Sequence, residues 1–343
     1  MIKCLILQGS NMKILYFVHT YGEKNGIANH VLNLANSLPS SVVPQVIGGK
    51  GASLPLFSSL RFPIGELFAA LRADFDIIHV HGYGNFYSFF GAVVSLLRRK
   101  PLAWTIHGYP RITGARRLFY LVYRYLMAPI IFWRAGRIIS VSGDILPILG
   151  HETKKPITLL PNGVDLDFFK PAGSYLQAKC ACYVGRLDPD KGVGRMLECS
   201  SLPLLFIGPD EGGTRASLAG QARQLGRQAE FTECGFDKMP SQYERCRYVV
   251  LPSKYEGFPL TLLESIAMGR PFISNDVGEV KATLSSLFEK PGRYLLQGNI
   301  QEKISELEES DLQSEMDAAR KKAAKYSWKS VAQKTAEIYS SLA

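Results

Sequence analysis

A chain of 343 residues with 46% hydrophobic and 20% charged residues has ordinary globular composition and exceeds what one core supports, so two domains are expected. No window reaches the roughly 20 apolar residues of a membrane span, residues 1–8 are too short an apolar run for a secretory signal, and the chain therefore reads as cytoplasmic. The net charge of +10 lies wholly in the first half, where residues 1–172 carry 18 Lys+Arg against 8 Asp+Glu, leaving 22 of each in residues 173–343.

From Met12 the run K-I-L-Y-F-V-H has the character of a buried strand. A polar, glycine-containing loop follows, then I-A-N-H-V-L-N-L-A-N-S-L with apolar residues at helical spacing. Met12 is a second candidate start, since residues 1–11 precede this unit without an evident role. Strand-like runs recur at 44–49, 76–82, 102–108 and 137–142, with helical stretches between several of them. A second series occupies 181–186, 204–208, 229–235, 248–253 and 270–275. Strands that alternate with helices imply parallel sheets covered on both faces. The expected fold is therefore α/β, with two Rossmann-like domains facing each other across a cleft. The first spans 12–160 and the second 174–325, joined by the turn-rich L-P-N-G-V-D-L-D-F-F-K-P; residues 326–343 form an amphipathic helix expected to pack back on the first domain. Six cysteines without metal-type spacing read as reduced core thiols.

Between Arg98 and Arg137 nine cations are interleaved with Phe119, Tyr120, Tyr123, Tyr125, Phe132 and Trp133. That mixture suits an anionic lipid surface, a polyanionic substrate or nucleic acid, and equally a solubilising face.

In parallel sheets, ligands collect beyond the carboxyl ends of the strands, where helix N-termini present free N–H groups and partial positive charge. Four pieces of sequence occupy such positions. Gly22 and Gly26 bracket a loop whose backbone can approach a phosphate. Arg186 and Lys191, five residues apart at a strand end, offer a forked guanidinium and an ammonium suited to a diphosphate. The stretch Glu256-Gly257-Phe258-Pro259 leads into a helix that begins at Leu260 and carries Glu264 about one turn in. Its other positions are mostly apolar, so two carboxylates there suit the binding of sugar and ribose hydroxyls better than a solvated face. His107, between Ile106 and Gly108, is an imidazole at a strand end of the first domain.

Taken together, these pieces resemble the retaining glycosyltransferases of family 4, which have the GT-B fold. The resemblance covers nearly the whole chain. It rests on Gly185-Arg186 with Lys191-Gly192, on Leu160-Pro161-Asn162-Gly163-Val164-Asp165, on Pro252-Ser253 leading to Glu256-Gly257-Phe258-Pro259 and Glu264, and on Tyr326-Ser327-Trp328. It implies a hexosyltransferase-type reaction that moves a sugar from a nucleotide-diphosphate donor, such as a UDP- or GDP-sugar, to an acceptor hydroxyl. Arg186 and Lys191 would hold the diphosphate, helped by Gly22 and Gly26. Glu264 would hold the ribose, and Glu256 with Gly257, Phe258, Pro259 and Leu260 the sugar. His107 would meet a sugar hydroxyl, and with Glu256 it forms the expected catalytic pair. The resemblance implies no metal and no cofactor, so no Asp-x-Asp pair is expected to tie a cation to the diphosphate. The chain departs from the family after Asn275, where Asp276-Val277-Gly278-Glu279-Val280-Lys281 replaces a glycine pair and a Pro-Glu, and in the first loop, where the glycines stand apart.

A nicotinamide dehydrogenase would share Rossmann domains, yet no G-x-G-x-x-G follows a strand, and Gly82-Tyr83-Gly84 lacks the third glycine. A nucleic-acid-binding protein would use the basic half but has no need of Glu256 and Glu264, so no nucleic-acid partner is expected. A nucleotide-sugar epimerase or a phosphorylase of the same fold is the nearer alternative. The acceptor expected from the basic half is anionic or membrane-borne, a glycolipid, polysaccharide or lipopolysaccharide precursor, with the first domain docked on the inner face of the membrane.

Overall fold

The computed structural model describes residues 11–19, 26–49, 52–54, 57–109, 116–210 and 212–343, with the side chains of 52–62 and 116 left aside. It is an α/β protein of two compact units, one made of residues 1–162 with 328–343 and the other of 163–327.

The first unit is built on β1 (Met12–Val18), β2 (Val42–Gly48), β3 (Ala52–Leu54), β4 (Phe57–Phe62), β5 (Ile77–His81), β6 (Leu102–Ile106), β7 (Arg137–Ser140) and β8 (Ile157–Leu159). Six of these form a parallel sheet in the order β2-β1-β5-β6-β7-β8, while β3 and β4 make a separate antiparallel pair that the sequence pattern does not announce. Every residue of β5 and β6 is buried, so apolar residues prevail in both, and the polar ones among them, His79, His81 and Thr105, lie inside the unit. The helices Phe86–Leu97 and Ala128–Arg134 cover the sheet around a core that includes Trp104, whose indole N–H donates to the Gly82 carbonyl at 2.8 Å. Asn85 starts the first of these helices by accepting from the Ser88 N–H at 2.9 Å. The chain's last helix, Trp328–Ser340, lies against Gly26–Ser37 in this unit and joins the sheet through Tyr339, whose hydroxyl bonds those of Tyr16 at 2.8 Å and His79 Nδ1 at 2.6 Å.

The second unit holds β9 (Cys180–Val184), β10 (Leu204–Ile207), β11 (Ala229–Thr232), β12 (Cys246–Leu251) and β13 (Phe272–Ser274), all parallel, in the order β11-β10-β9-β12-β13. The expectation of six reduced thiols is corrected here, because Cys182 and Cys246 are joined as a disulfide between the adjacent strands β9 and β12. Their Cα atoms lie 5.5 Å apart, within bridging range, and a pairing over 64 residues of sequence leaves no local spacing signal. Cys180 and Cys199 are thiols outside any disulfide, and the Cys234 thiol donates to Met239 Sδ at 3.6 Å.

The order of each sheet reverses once. After β2 the chain returns to the other side of β1 to form β5, and after β11 to the other side of β9 to form β12. Such reversals open a crevice at the carboxyl ends of the two strands concerned.

Candidate functional site

In the second unit the reversal falls between β9 and β12, and the loops that leave these strands carry most of the expected donor residues. Gly185, φ 151°, ends β9 over the Tyr183 ring, and the Tyr183 hydroxyl donates to the Arg186 carbonyl at 2.7 Å. Arg186 projects from this turn with its side chain 49% exposed, 3.1 Å from Asp188. The chain then makes a short turn whose amide, Asp190 N–H, is capped by Asp188, and closes on Gly192 in the left-handed region at φ 65°. A Cβ at Gly192 would stand 2.2 Å from the Pro252 carbonyl oxygen, so only glycine lets this loop lie against the end of β12. The result is a direct ion pair between loops 65 residues apart, with Lys191 Nζ 2.8 Å from Glu256 Oε1 and both side chains largely covered.

Glu256 sits in the turn before the helix Leu260–Ala267, which starts after Pro259. The first N–H groups of a helix lack intrahelical acceptors, and here they belong to the segment after Gly257, Phe258 and Pro259. Phe258 is buried, with its ring 6.4 Å from that of Tyr326. Gly278, φ 53°, supports the turn from outside: a Cβ there would fall 2.3 Å from both the Glu256 and the Gly257 carbonyl oxygens, and Glu279 N–H donates to Gly257 O at 2.9 Å. Asn275 Nδ2 donates to the carbonyls of Pro252 and Ser253 at 3.0 and 2.9 Å, tying the end of β13 to that of β12. The departure from the family pattern after Asn275 therefore builds a backbone buttress for the Glu256 turn.

One turn into the helix, Glu264 accepts from the Tyr243 hydroxyl at 2.7 Å. Desolvation raises its pKa from 4.5 to about 7, the Tyr243 bond opposing the rise, while burial and the neighbouring carboxylate push the Tyr243 phenol well above its ordinary value. At neutral pH this carboxyl is thus divided between its two forms. Three Asp-x-Asp pairs do occur. In two of them the first carboxylate serves a local turn: Asp188 as above, and Asp165 by accepting from the amides of Asp167 and Phe168 at 3.0 and 2.9 Å. In the third, Asp74 pairs with the Lys13 ammonium and Asp76 accepts from the Lys13 amide at 2.9 Å.

In the first unit the reversal lies between β1 and β5. Of the loop after β1, Gly22 lies outside the described residues and Gly26 opens the helix Gly26–Ser37. His107 follows β6, and its Nε2 is 3.1 Å from Nδ1 of His81, the last residue of β5. His30, on the helix Gly26–Ser37, packs its ring edge-on to His107 at 4.7 Å between centroids and bonds Asn162 Oδ1 through Nδ1 at 2.8 Å. Burial holds all three imidazoles neutral, His30 down to about 4 and the other two well below their ordinary value.

Sequence reasoning singled out His107 but not His30 or His81; it passed over Tyr183, and it noted Asn275 and Gly278 only as part of a departure from the family pattern. His81 carried a usable signal, since His81-Gly82 and His107-Gly108 end neighbouring strands in the same way. The basic stretch is also less free than its composition suggests. Arg98 donates to the Leu71 carbonyl, Arg134 to those of Ser95 and Lys100, and Arg124 pairs with Glu152 at 2.9 Å. Arg99 and Arg117 remain exposed, beside Leu118, Leu121, Val122, Tyr125, Leu126, Ile130 and Trp133, whose apolar side chains face solvent.

Residues 24–168 match the family model described as Glycosyltransferase Family 4, and residues 165–327 match the model described as Glycosyl transferases group 1. No curated protein sequence matches the chain. Among solved structures it is similar to HepE of Anabaena in complex with UDP, at 17% identity and TM-score 0.75 over 96% of this chain and 100% of that one. It is also similar to sucrose-phosphate synthase of Thermosynechococcus elongatus, at 17% identity and TM-score 0.73 over 96% and 99%. A third is the lipopolysaccharide outer core galactosyltransferase WaaB in its apo form, at 17% identity and TM-score 0.66 over 96% and 100%. These likenesses identify the fold as GT-B.

Proposed function

Because the chain belongs to glycosyltransferase family 4, the two family models adjoining over residues 24–327, we propose that it transfers a sugar with retention from a uridine-diphosphate sugar to a hydroxyl on a membrane-borne acceptor. The observation that carries this reading is the Lys191–Glu256 pair at the β9/β12 reversal, with Arg186 and Glu264 on the same two loops and helix. Arg186 and Lys191 neutralise the diphosphate through charge-assisted hydrogen bonds. Displacement of Lys191 toward phosphate frees the Glu256 carboxylate for the sugar hydroxyls, while the backbone N–H groups of Gly257, Phe258 and Leu260 orient the ring beside Pro259, which has none. Glu264 accepts from the ribose hydroxyls, and His107 meets a sugar hydroxyl. The anomeric carbon loses its bond to the diphosphate oxygen and gains one to the acceptor oxygen on the same face; the acceptor proton passes to the departing phosphate, so no further base is needed. A uridine donor is supported by HepE, which was solved in complex with UDP and with UDP-glucose.

The acceptor reading is supported by the exposed face of the first unit. Along 117–133 the outward residues are apolar at helical spacing, with Leu118 71% and Trp133 65% exposed, and Arg99 and Arg117 also face solvent. No helix among the described residues is long and apolar enough to cross a membrane. An apolar stripe flanked by arginines suits a helix lying in the interface of an anionic leaflet. A polysaccharide or lipopolysaccharide precursor on a lipid carrier would be presented there. The test is to incubate the protein and a radiolabelled UDP-hexose panel with lipid-linked acceptors in the presence of EDTA, and to assign the product anomer by NMR. An α-linked product supports the proposal, and a β-linked product or release of free sugar alone overturns it.

A further inference from the structure

We propose that His30, His81 and His107 form a binding site for a single transition-metal dication of the zinc type. Each offers one ring nitrogen, and these three nitrogens lie within 4.8 Å of one another. The pair His81 Nδ1 and His107 Nε2 is already 3.1 Å apart, close to the roughly 3.3 Å edge of a tetrahedron with metal–nitrogen bonds of about 2.0–2.1 Å.

The hydrogen-bond pattern independently calls for a ligand. Among the described residues, Asn162 is the one oxygen bonded to the three rings, and it takes His30 Nδ1. Accepting the Nδ1 proton there fixes the tautomer that leaves a lone pair on His30 Nε2, the usual way a neighbouring carbonyl prepares a ligating histidine. His81 is fully buried, and its Nδ1 and His107 Nε2 face one another, so these two nitrogens either share one proton or, as proposed, both give lone pairs to a cation. With Nδ1 as the ligand, the proton of His81 stays on Nε2.

The chemistry of the donor set selects the ion. Three imidazoles with no carboxylate disfavour magnesium and calcium and suit zinc, cobalt, nickel or copper. His107 is the least covered of the three, so the fourth position opens on its side. This differs from a metal that bridges a diphosphate, which the other unit would have to hold. Occupancy takes the ring that the proposed transfer assigns to the donor sugar, which makes the bound cation an inhibitor of that reaction.

The test needs no activity. The full chain, stripped with chelator, is titrated with cobalt(II) and followed by the visible absorption of a four-coordinate ion, and zinc(II) is then added to displace it. One equivalent per chain is expected, with zinc raising the thermal midpoint. His81→Gln and His30→Gln should each weaken cobalt binding at least about 100-fold, the upper end of what loss of even an outer partner costs. His151→Gln, on the exposed end of the helix Leu146–Glu152, should bind as the parent does. Far-ultraviolet dichroism checks folding, and His107→Gln serves in place of either variant that fails to fold. Absence of a four-coordinate spectrum, survival of binding in the His30, His81 or His107 variants, or its loss with His151→Gln would overturn the proposal.

Discussion

Donor affinity should rise about tenfold between pH 6 and pH 8 and level off above, because Glu264 titrates near 7. Its carboxyl is lifted from 4.5 to about 7 by desolvation. About one tenth is therefore ionised at pH 6 and about nine tenths at pH 8. Ribose hydroxyls donate hydrogen bonds, so they select the ionised acceptor. Calorimetric titration with an intact UDP-sugar isolates this group, since a diphosphate diester does not itself titrate in the window. Glu264→Gln should remove the slope. It replaces a charge-assisted bond of about 1.5–3 kcal/mol with a neutral one of about 0.5–1.5 kcal/mol, so affinity at pH 8 falls by roughly tenfold. Ribose contacts persist from ground state to transition state, so the loss should appear in KM more than in kcat. The same shift bears on stability with a definite sign. A carboxyl whose folded pKa is raised favours the folded state fully below about 4.5 and loses that contribution as pH rises through about 7, an effect on the order of 3 kcal/mol. Chemical denaturation of the parent and Glu264→Gln at pH 4.5 and 8 reads it directly. Donor binding that is flat with pH, or a Gln variant that keeps the parent's slope, would refute the assignment of this carboxylate to the ribose.

Lys191→Ala should weaken donor binding by about 10–100-fold, the equivalent of a charge-assisted contact of about 1.5–3 kcal/mol, with KM as the readout. Arg186→Ala should lose most activity with little change in the thermal midpoint, because its pair with Asp188 is half exposed and contributes little to folding. Gly278→Ala should lower the midpoint and the turnover together; the left-handed backbone alone costs about 1–2 kcal/mol, and the new methyl meets two carbonyls of the Glu256 turn. Leu118→Ser with Trp133→Ser should abolish co-sedimentation with anionic vesicles, and Arg117→Ser should make the residual binding less sensitive to salt.

The strands were legible because they are buried on both faces. Leu102–Ile106 is almost wholly apolar, Ile77–His81 is apolar but for His79 and His81 on one face, and the turns that end both carry glycine. Glu264 was legible as an intruder on a helix whose neighbours Leu262, Leu263, Ile266 and Ala267 are all buried. What sequence could not supply was pairing at a distance. Lys191 meets Glu256 and Cys182 meets Cys246 only because β12 returns beside β9, and nothing near either residue records that return. The arginines show the same limit in another form. Arg98 and Arg134 read as surface charge, but backbone carbonyls left over at the ends of helices and strands take up their donors.

The return of the helix Trp328–Ser340 to the first unit has a consequence for synthesis on the ribosome. Domains generally fold as they emerge, the N-terminal one first. Here the second unit is continuous from 163 to 327 and can close as soon as it is out, whereas the first lacks Tyr339, the partner of Tyr16 and His79, until Trp328–Ser340 has followed. The unit begun first is thus completed after the second, and a chain cut before Tyr339 would leave the Tyr16 hydroxyl and His79 Nδ1 without the partner they share while the second unit stood complete.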